Sequence, residues 1–148
     1  MAELVRGPID VAALIAAASD PACGALAVFL GTTRDRHDGR RVMSLAYEAY
    51  EPMALEALGA LEGEAARRFA VASCRIVHRL GVVPPTEASV AVVVAAAHRA
   101  PALEACRWAI DELKRAIPIW KKERYADGGE AWVEGHPLAR DGGRQGAP

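Results

Sequence analysis

Apolar positions recur along the chain in two periods, and the switches between them set the order of elements. Val11 to Ala18 is a short apolar run with Asp10 placed as N-cap and Ile9 spaced to staple against Leu14. This predicts a short helix, ended by Ser19, Asp20 and Pro21. Ala25 to Leu30, ALAVFL between Gly24 and Gly31, reads as a continuous buried strand. Val42 to Ala49 alternates, with Met43, Leu45 and Tyr47 on one face, and predicts the partner of that first strand. Pro52 opens a second helix reaching about Phe69. Leu55, Leu58 and Leu61 mark its buried side, while Gly59 and Gly63 weaken it locally or admit close packing.

Cys74 to Leu80 reads as a third strand, with His78 and Arg79 as solvent-facing or hairpin residues at its end. GVVPPTE, Gly81 to Glu87, reads as a turn, and Ser89 to Ala97 as the most apolar strand, leading to His98. Pro101 opens a third helix that Pro118 stops near Ala116 or Ile117. Leu103, Cys106, Ile110, Leu113 and Ile117 form its apolar stripe. Tyr125 to Glu130 then reads as a loop and Ala131 to Glu134 as a last short strand. Residues 1–134 make one domain, and 135–148, rich in Gly, Arg and Pro, a mobile tail. Helix, two strands, helix, two strands, helix and short strand is an α+β order in which antiparallel hairpins pack against helices.

Composition narrows the function classes. With 148 residues, 52% hydrophobic and 25% charged, the chain suits one soluble domain. A formal net charge of -1 argues against a nucleic-acid binder. No apolar run is long enough to span a membrane, and Met1 to Gly7 lacks the apolar core of a secretory signal, so the expected location is the cytoplasm. Cys23, Cys74 and Cys106 are widely spaced, odd in number and form no CxxC, which fits neither a disulfide framework nor a zinc site. Cys74 and Cys106 fall on core positions, leaving Cys23 as the exposed thiol, and no metal or cofactor is expected.

Against that near-neutral balance, cations gather in three places. Lys114 lies beside the apolar stripe in the last turn of the third helix, and Lys121 follows seven positions later, past the proline break. A turn there folds Lys121 back toward Lys114, so that two ammonium groups share a pocket. His98 and Arg99 sit where a strand gives way to a helix, whose N-terminal amides form an anion site. In TTRDRHDGRR, Thr32 to Arg41, two readings stand: a hairpin loop with self-paired charges, or Arg34 at the strand end aimed at a phosphate or carboxylate. The others have ordinary alternatives too. Lys114 suits the helix dipole, Lys121 and Lys122 beside Trp120 and Glu123 suit a solvated edge, and His98 suits a local hydrogen bond. Brought together, the five cations would form one anion-binding pocket in which crowding and burial lower a lysine's proton affinity.

GALAVFLGTTR ending in Arg34, YEAY before Pro52, IVHRLG, AHR at Ala97 to Arg99, DELK ending in Lys114, PIWKKE with Lys121 and WVE at Trp132 to Glu134 run in order through nearly the whole chain. Taken together they resemble the large, catalytic subunit of molybdopterin synthase. The resemblance implies an α/β hammerhead-like domain with an added antiparallel β subdomain. It implies sulfur transfer from the C-terminal thiocarboxylate of a small ubiquitin-like subunit ending in Gly-Gly to cyclic pyranopterin monophosphate, forming the dithiolene of molybdopterin. By the family's pattern, Lys114 and Lys121 lie beside the thiocarboxylate, Arg34, His98 and Arg99 hold the pterin and its phosphate, and Phe29 lines the pocket. The implied assembly is a homodimer of large subunits within a heterotetramer, and no catalytic cysteine is needed. Two departures stand out. An arginine expected after WVE is replaced by His136, with Arg140 further on, and Ile110 stands where a longer apolar residue is frequent. Two rival classes remain: a sulfurtransferase using Cys23, and a non-catalytic module that docks a ubiquitin-like tail.

Overall fold

The strand and helix periods resolve into two sheets and three helices in the computed structural model, which describes residues 1–133. In chain order the elements are β1 (Glu3–Val5), α1 (Val11–Ala18), β2 (Ala25–Thr32), β3 (Arg36–His37), β4 (Arg40–Ala49), α2 (Glu51–Phe69), β5 (Ser73–Arg79), β6 (Gly81–Val83), β7 (Ala88–Ala96), α3 (Arg99–Ala116), β8 (Ile119–Tyr125) and β9 (Glu130–Val133). The architecture is α+β. Glu134, the segment 135–148, His136 and Arg140 lie outside the described residues.

The first sheet has the order β1-β5-β7-β2, with β1 parallel to β5 and the other pairs antiparallel. Its inner strand β7 is apolar from Val90 to Ala96 because both faces are covered. Val90, Val92, Val94 and Ala96 enter the core under α2 and α3, while Ala91, Val93 and Ala95 pack with Leu14 and Ala18 of α1. Side chains alternate across a strand, so one unbroken apolar run supplies two cores. Asp10 caps α1 by accepting from the Ala13 N–H at 3.0 Å.

The ALAVFL run is not buried on both sides. Ala27 and Phe29 face α3, but Leu26, Val28 and Leu30 are 42%, 39% and 38% exposed, because α1 packs on β7 and β5 while β2 forms the sheet edge. Nor is β4 the partner of β2, which pairs with β7. Asp38 and Gly39, both at positive φ, turn β3 into β4 and carry that hairpin into a second sheet, β3-β4-β8-β9, with β6 also on β4. This second sheet is the antiparallel addition to the helix-backed first one.

Several further expectations are corrected. A bulge between Val42 and Ser44 turns Met43 outward, leaving it 51% exposed. On α2 the buried face is Ala54, Leu58, Leu61 and Ala65, so Leu55 is exposed, and neither Gly59 nor Gly63 receives a closely packed neighbour. Leu103 of the α3 stripe is 60% exposed. Gly81 to Val83 is strand rather than turn, and residues 119–125, read as the end of a turn and the start of a loop, form β8. His78 and Arg79 are buried at 4% and 8% exposure: Arg79 pairs with Glu87 at 2.7 Å, and the His78 ring stands edge-on to Tyr47.

Candidate active site

Four cations, Arg34, Arg36, Lys114 and Lys121, reach one pocket because three connections converge there. α3 starts after His98, carries Pro101 in its first turn and closes with the Ile117 N–H donating to the Leu113 carbonyl at 3.1 Å. Pro118 forbids another helical turn, and the chain reverses into β8, antiparallel to β4 with Lys121 opposite Tyr47. Lys121, Glu123 and Tyr125 alternate on the inner face of β8, while Trp120 points out. Arg34 lies in the link between β2 and β3, pinned on both sides. Thr33 donates to Glu87 O at 3.0 Å and accepts from Thr86 N at 2.8 Å, and Asp35 O accepts from Val42 N at 2.8 Å.

The resulting pocket, about 210 Å³, is lined by Arg34, Lys114, Lys121, Glu123, Tyr47 and Ser89 among others. Burial holds Lys114 below the ordinary lysine range, and the Lys121 charge adds to this. Lys121 is lowered too, by burial first, with Glu123 opposing and Arg34 reinforcing the shift. Removing ammonium groups from water and setting cations beside them both favour the neutral form. His78 lies within reach of the Lys114 charge. Burial is the main cause that lowers its pKa to about 4, the Arg79 carbonyl bond opposing and Lys114 adding. Its Nδ1 donates to that carbonyl at 2.9 Å, and the ring is neutral near pH 7.

A second cavity, about 630 Å³, runs between β2 and α3. Val28, Phe29, Leu103 and Ile110 give it apolar walls, and Lys114 belongs to both cavities. Phe29 therefore lies on an apolar approach to the cationic pocket. Ile110 and the exposed Leu103 lie one above the other on the α3 face toward it. His98 and Arg99 are elsewhere: exposed at the N-terminal end of α3, whose 18 residues span about 27 Å, with Lys114 in the last turn. Within one protomer, Arg34, Lys114 and Lys121 come together, and His98 and Arg99 do not join them.

Sequence reasoning missed His37, Tyr47, His78, Ser89 and Glu123 as parts of this region. The alternation of Lys121, Glu123 and Tyr125 was a usable signal, had the segment been read as strand. The charges of TTRDRHDGRR are not simply self-paired, since Arg40 binds Asp127 at 2.8 Å and His37 binds Glu123. The thiols offer no activated nucleophile. Burial pushes Cys74 up to about 12, and Cys23 and Cys106 are also raised, burial being the first cause in each. Among the described residues no His, Cys, Asp or Glu cluster could hold a metal ion, and no helix is long and apolar enough to cross a membrane.

Comparison with known proteins identifies the family and the fold. The family described as "MoaE protein" matches residues 4–116. The chain is 51% identical over 128 residues to the molybdopterin synthase catalytic subunit of Oryza sativa subsp. indica, covering 86% of this chain and 66% of that protein. It is 49% identical over 127 residues to the protein of the same name from Culex quinquefasciatus, covering 85% and 81%. Against the rice relative the chain thus spans just under two thirds of the length. Among solved structures, molybdopterin synthase from Staphylococcus aureus superposes with a TM-score of 0.84 at 34% identity, covering 88% of this chain and 95% of that one. The protein-protein complex of subunits 1 and 2 of molybdopterin-converting factor from Helicobacter pylori 26695 gives a TM-score of 0.75 at 25% identity, covering 93% and 94%.

Proposed function

The chain belongs to the MoaE family, and on that premise we propose that it is the catalytic subunit of a molybdopterin synthase. It transfers sulfur from the C-terminal thiocarboxylate of a small ubiquitin-like subunit to cyclic pyranopterin monophosphate. The observation that carries the reading is the pairing of Lys114 and Lys121, both of lowered proton affinity, in a pocket shared with Arg34 at the end of an apolar groove. An extended Gly-Gly tail fits such a groove, with its terminal anion beside the two ammonium groups.

The chemistry follows from the charges. The thiocarboxylate sulfur attacks a pterin side-chain carbon whose carbon–oxygen bond breaks, the oxygen leaving with the phosphate or, once protonated, as water, and the tail becomes an acyl thioester. Water then attacks the acyl carbon, the carbon–sulfur bond of the tail breaks, and the sulfur stays on the pterin while the tail leaves as an ordinary carboxylate. Two sulfurs therefore consume two charged small subunits. Lys114 stabilises the oxyanion that forms at the acyl carbon. Lys121, whose proton affinity is lowered by burial, supplies and removes protons. Arg34 holds the phosphate by its planar fork.

A homodimer supplies what one protomer lacks. β2 is an open edge with Leu26, Val28 and Leu30 exposed along it, a surface suited to pairing with another strand. Two copies of β2 joined antiparallel about a two-fold axis set the Gly24 end of one beside the Thr32 end of the other. Gly24 donates to Ala97 O at 3.1 Å, so His98 and Arg99 of one protomer then lie near Arg34, Lys114 and Lys121 of its partner. A small subunit at each end completes a heterotetramer. Free thiols suit a reducing compartment such as the cytoplasm.

Reconstitution tests this reading: the chain is mixed with a thiocarboxylated small subunit and the pterin monophosphate, and molybdopterin is assayed. Product is expected from the wild type. Near-normal product from Lys114→Ala would remove the assignment.

A further inference from the structure

Lys114, Lys121 and Arg34 share their pocket with a buried carboxylate. Glu123 is 5% exposed and lines their pocket from the same face of β8 as Lys121, two residues earlier. A carboxylate taken out of water needs donors, and two reach it. Tyr125 Oη donates to Oε1 at 2.6 Å. From β3, the His37 ring places Nδ1 2.9 Å from Oε1 and 2.8 Å from Oε2. An ionised carboxylate only accepts, so Nδ1 carries the hydrogen. On the far side of the ring, Nε2 stands 3.6 Å from Asp38. The strand pair is braced nearby by Arg40, whose guanidinium lies 3.5 Å over the Tyr125 ring and binds Asp127 at 2.8 Å.

We infer that His37 is a positioning residue for sulfur transfer: held between Asp38 and Glu123, it fixes the Glu123 carboxylate on the side of the pocket where Lys121 works. The inference rests on Lys121 acting in that reaction. Facing Lys121 are Lys114 from α3, Arg34 from the β2–β3 link and Arg36 from β3, with the neutral Tyr47 phenol from β4 and Ser89 from β7. Among the described residues lining the pocket, Glu123 is the one carboxylate. Its charge opposes the burial and the Arg34 field that drive the Lys121 ammonium toward its neutral form. A carboxylate free to rotate would swing toward Arg34, Arg36 or solvent. Held by an imidazole and a phenol, it keeps one distance from Lys121 through turnover, and the balance of charged and neutral lysine stays constant.

Wild type, His37→Ala and His37→Asn, whose amide N–H lies close to the place of Nδ1, are compared in two measurements. In a carbon-13 NMR titration of lysine side chains in the whole large subunit, His37→Ala lowers the midpoint of Lys121 and His37→Asn returns it toward wild type. In the reconstituted assay, His37→Ala slows product formation roughly tenfold and brings the alkaline loss of rate to lower pH. The KM for the pterin precursor stays unchanged, and His37→Asn recovers most of the rate. Should His37→Ala not fold, Tyr125→Phe removes the other donor and carries the same expectations. An unmoved Lys121 midpoint in a folded variant overturns the inference, as does equal loss in the Ala and Asn variants. The two failures are separable: absence of product from wild type removes the sulfur-transfer reading, whereas an unmoved midpoint removes the clamp.

Discussion

Tyr47 of β4 and Lys121 of β8 are cross-strand partners, and this register aims Lys121 at the pocket that Lys114 enters from the last turn of α3. Neither lysine owes its position to its own element alone. Pro118 ends the helix, β8 reverses, and the pairing with β4 brings the second ammonium back to the first.

If both ammonium groups act on the thiocarboxylate, Lys114→Ala and Lys121→Ala each reduce product formation by about 100-fold or more. Thermal unfolding of both variants stays near wild type, because the side chains are only half-buried. The pH–rate profile of the wild type falls on the alkaline side before the ordinary lysine range is reached, since both groups are shifted down. A rate that holds constant through that range excludes the role.

Arg34→Ala is expected to act on precursor affinity. Its guanidinium faces the pocket without belonging to the lysine pair, so loss of a charge-assisted contact raises the precursor Kd by roughly tenfold or more and changes the rate at saturation less. Equilibrium binding of the pterin monophosphate checks this, and unchanged affinity refutes the phosphate assignment.

His78 gives a stability prediction in acid. The native state resists protonation of this ring until about pH 4, while the unfolded chain takes up the proton near 6.5. The contribution is therefore whole above pH 6.5 and is lost as the pH falls to 4, an effect on the order of 3 kcal/mol. Urea unfolding at pH 7 and pH 4.5 should show wild type losing more stability than His78→Gln. Parallel losses would mean that the ring titrates normally.

A dimeric site predicts complementation. Lys114→Ala and His98→Ala, inactive separately, regain activity when unfolded together and refolded, because mixed dimers hold one intact site. The ceiling is about a quarter of wild type for random pairing of two-site dimers. No recovery despite mixed dimers, detected by differential tags, rules out the shared site.

The helices were legible because their stripes follow one period and their ends carry Asp10, Pro52, Pro101 and Pro118. The β7 strand was legible because two covered faces leave no polar position from Val90 to Ala96, Ser89 being the polar residue of the strand. What stayed hidden were strands whose polar residues face inward. IWKKERY looks like a solvated edge, yet it turns Lys121, Glu123 and Tyr125 toward the pocket. His78 looked like a strand-end polar residue, yet the second sheet covers it with Tyr47. Polar groups facing inward at a site break the pattern that identifies a strand, so the pocket was the part hardest to recognise. Arg34, Lys114 and Lys121 could be singled out as cations near element ends, and the unused signal was the helix length itself: a helix from Pro101 to Ala116 sets His98 and Lys114 at opposite ends.

The chain passes from β5 to β6 through a single intervening residue, Leu80, itself 1% exposed. That leaves almost no slack between the two sheets. One extra residue there would turn β6 over and exchange the fully covered Val83 with Val82, which is 53% exposed. Insertions are thus barred at a point remote in sequence from every catalytic candidate, and the separation of the two ammonium groups is guarded by a length of backbone that carries no reactive group.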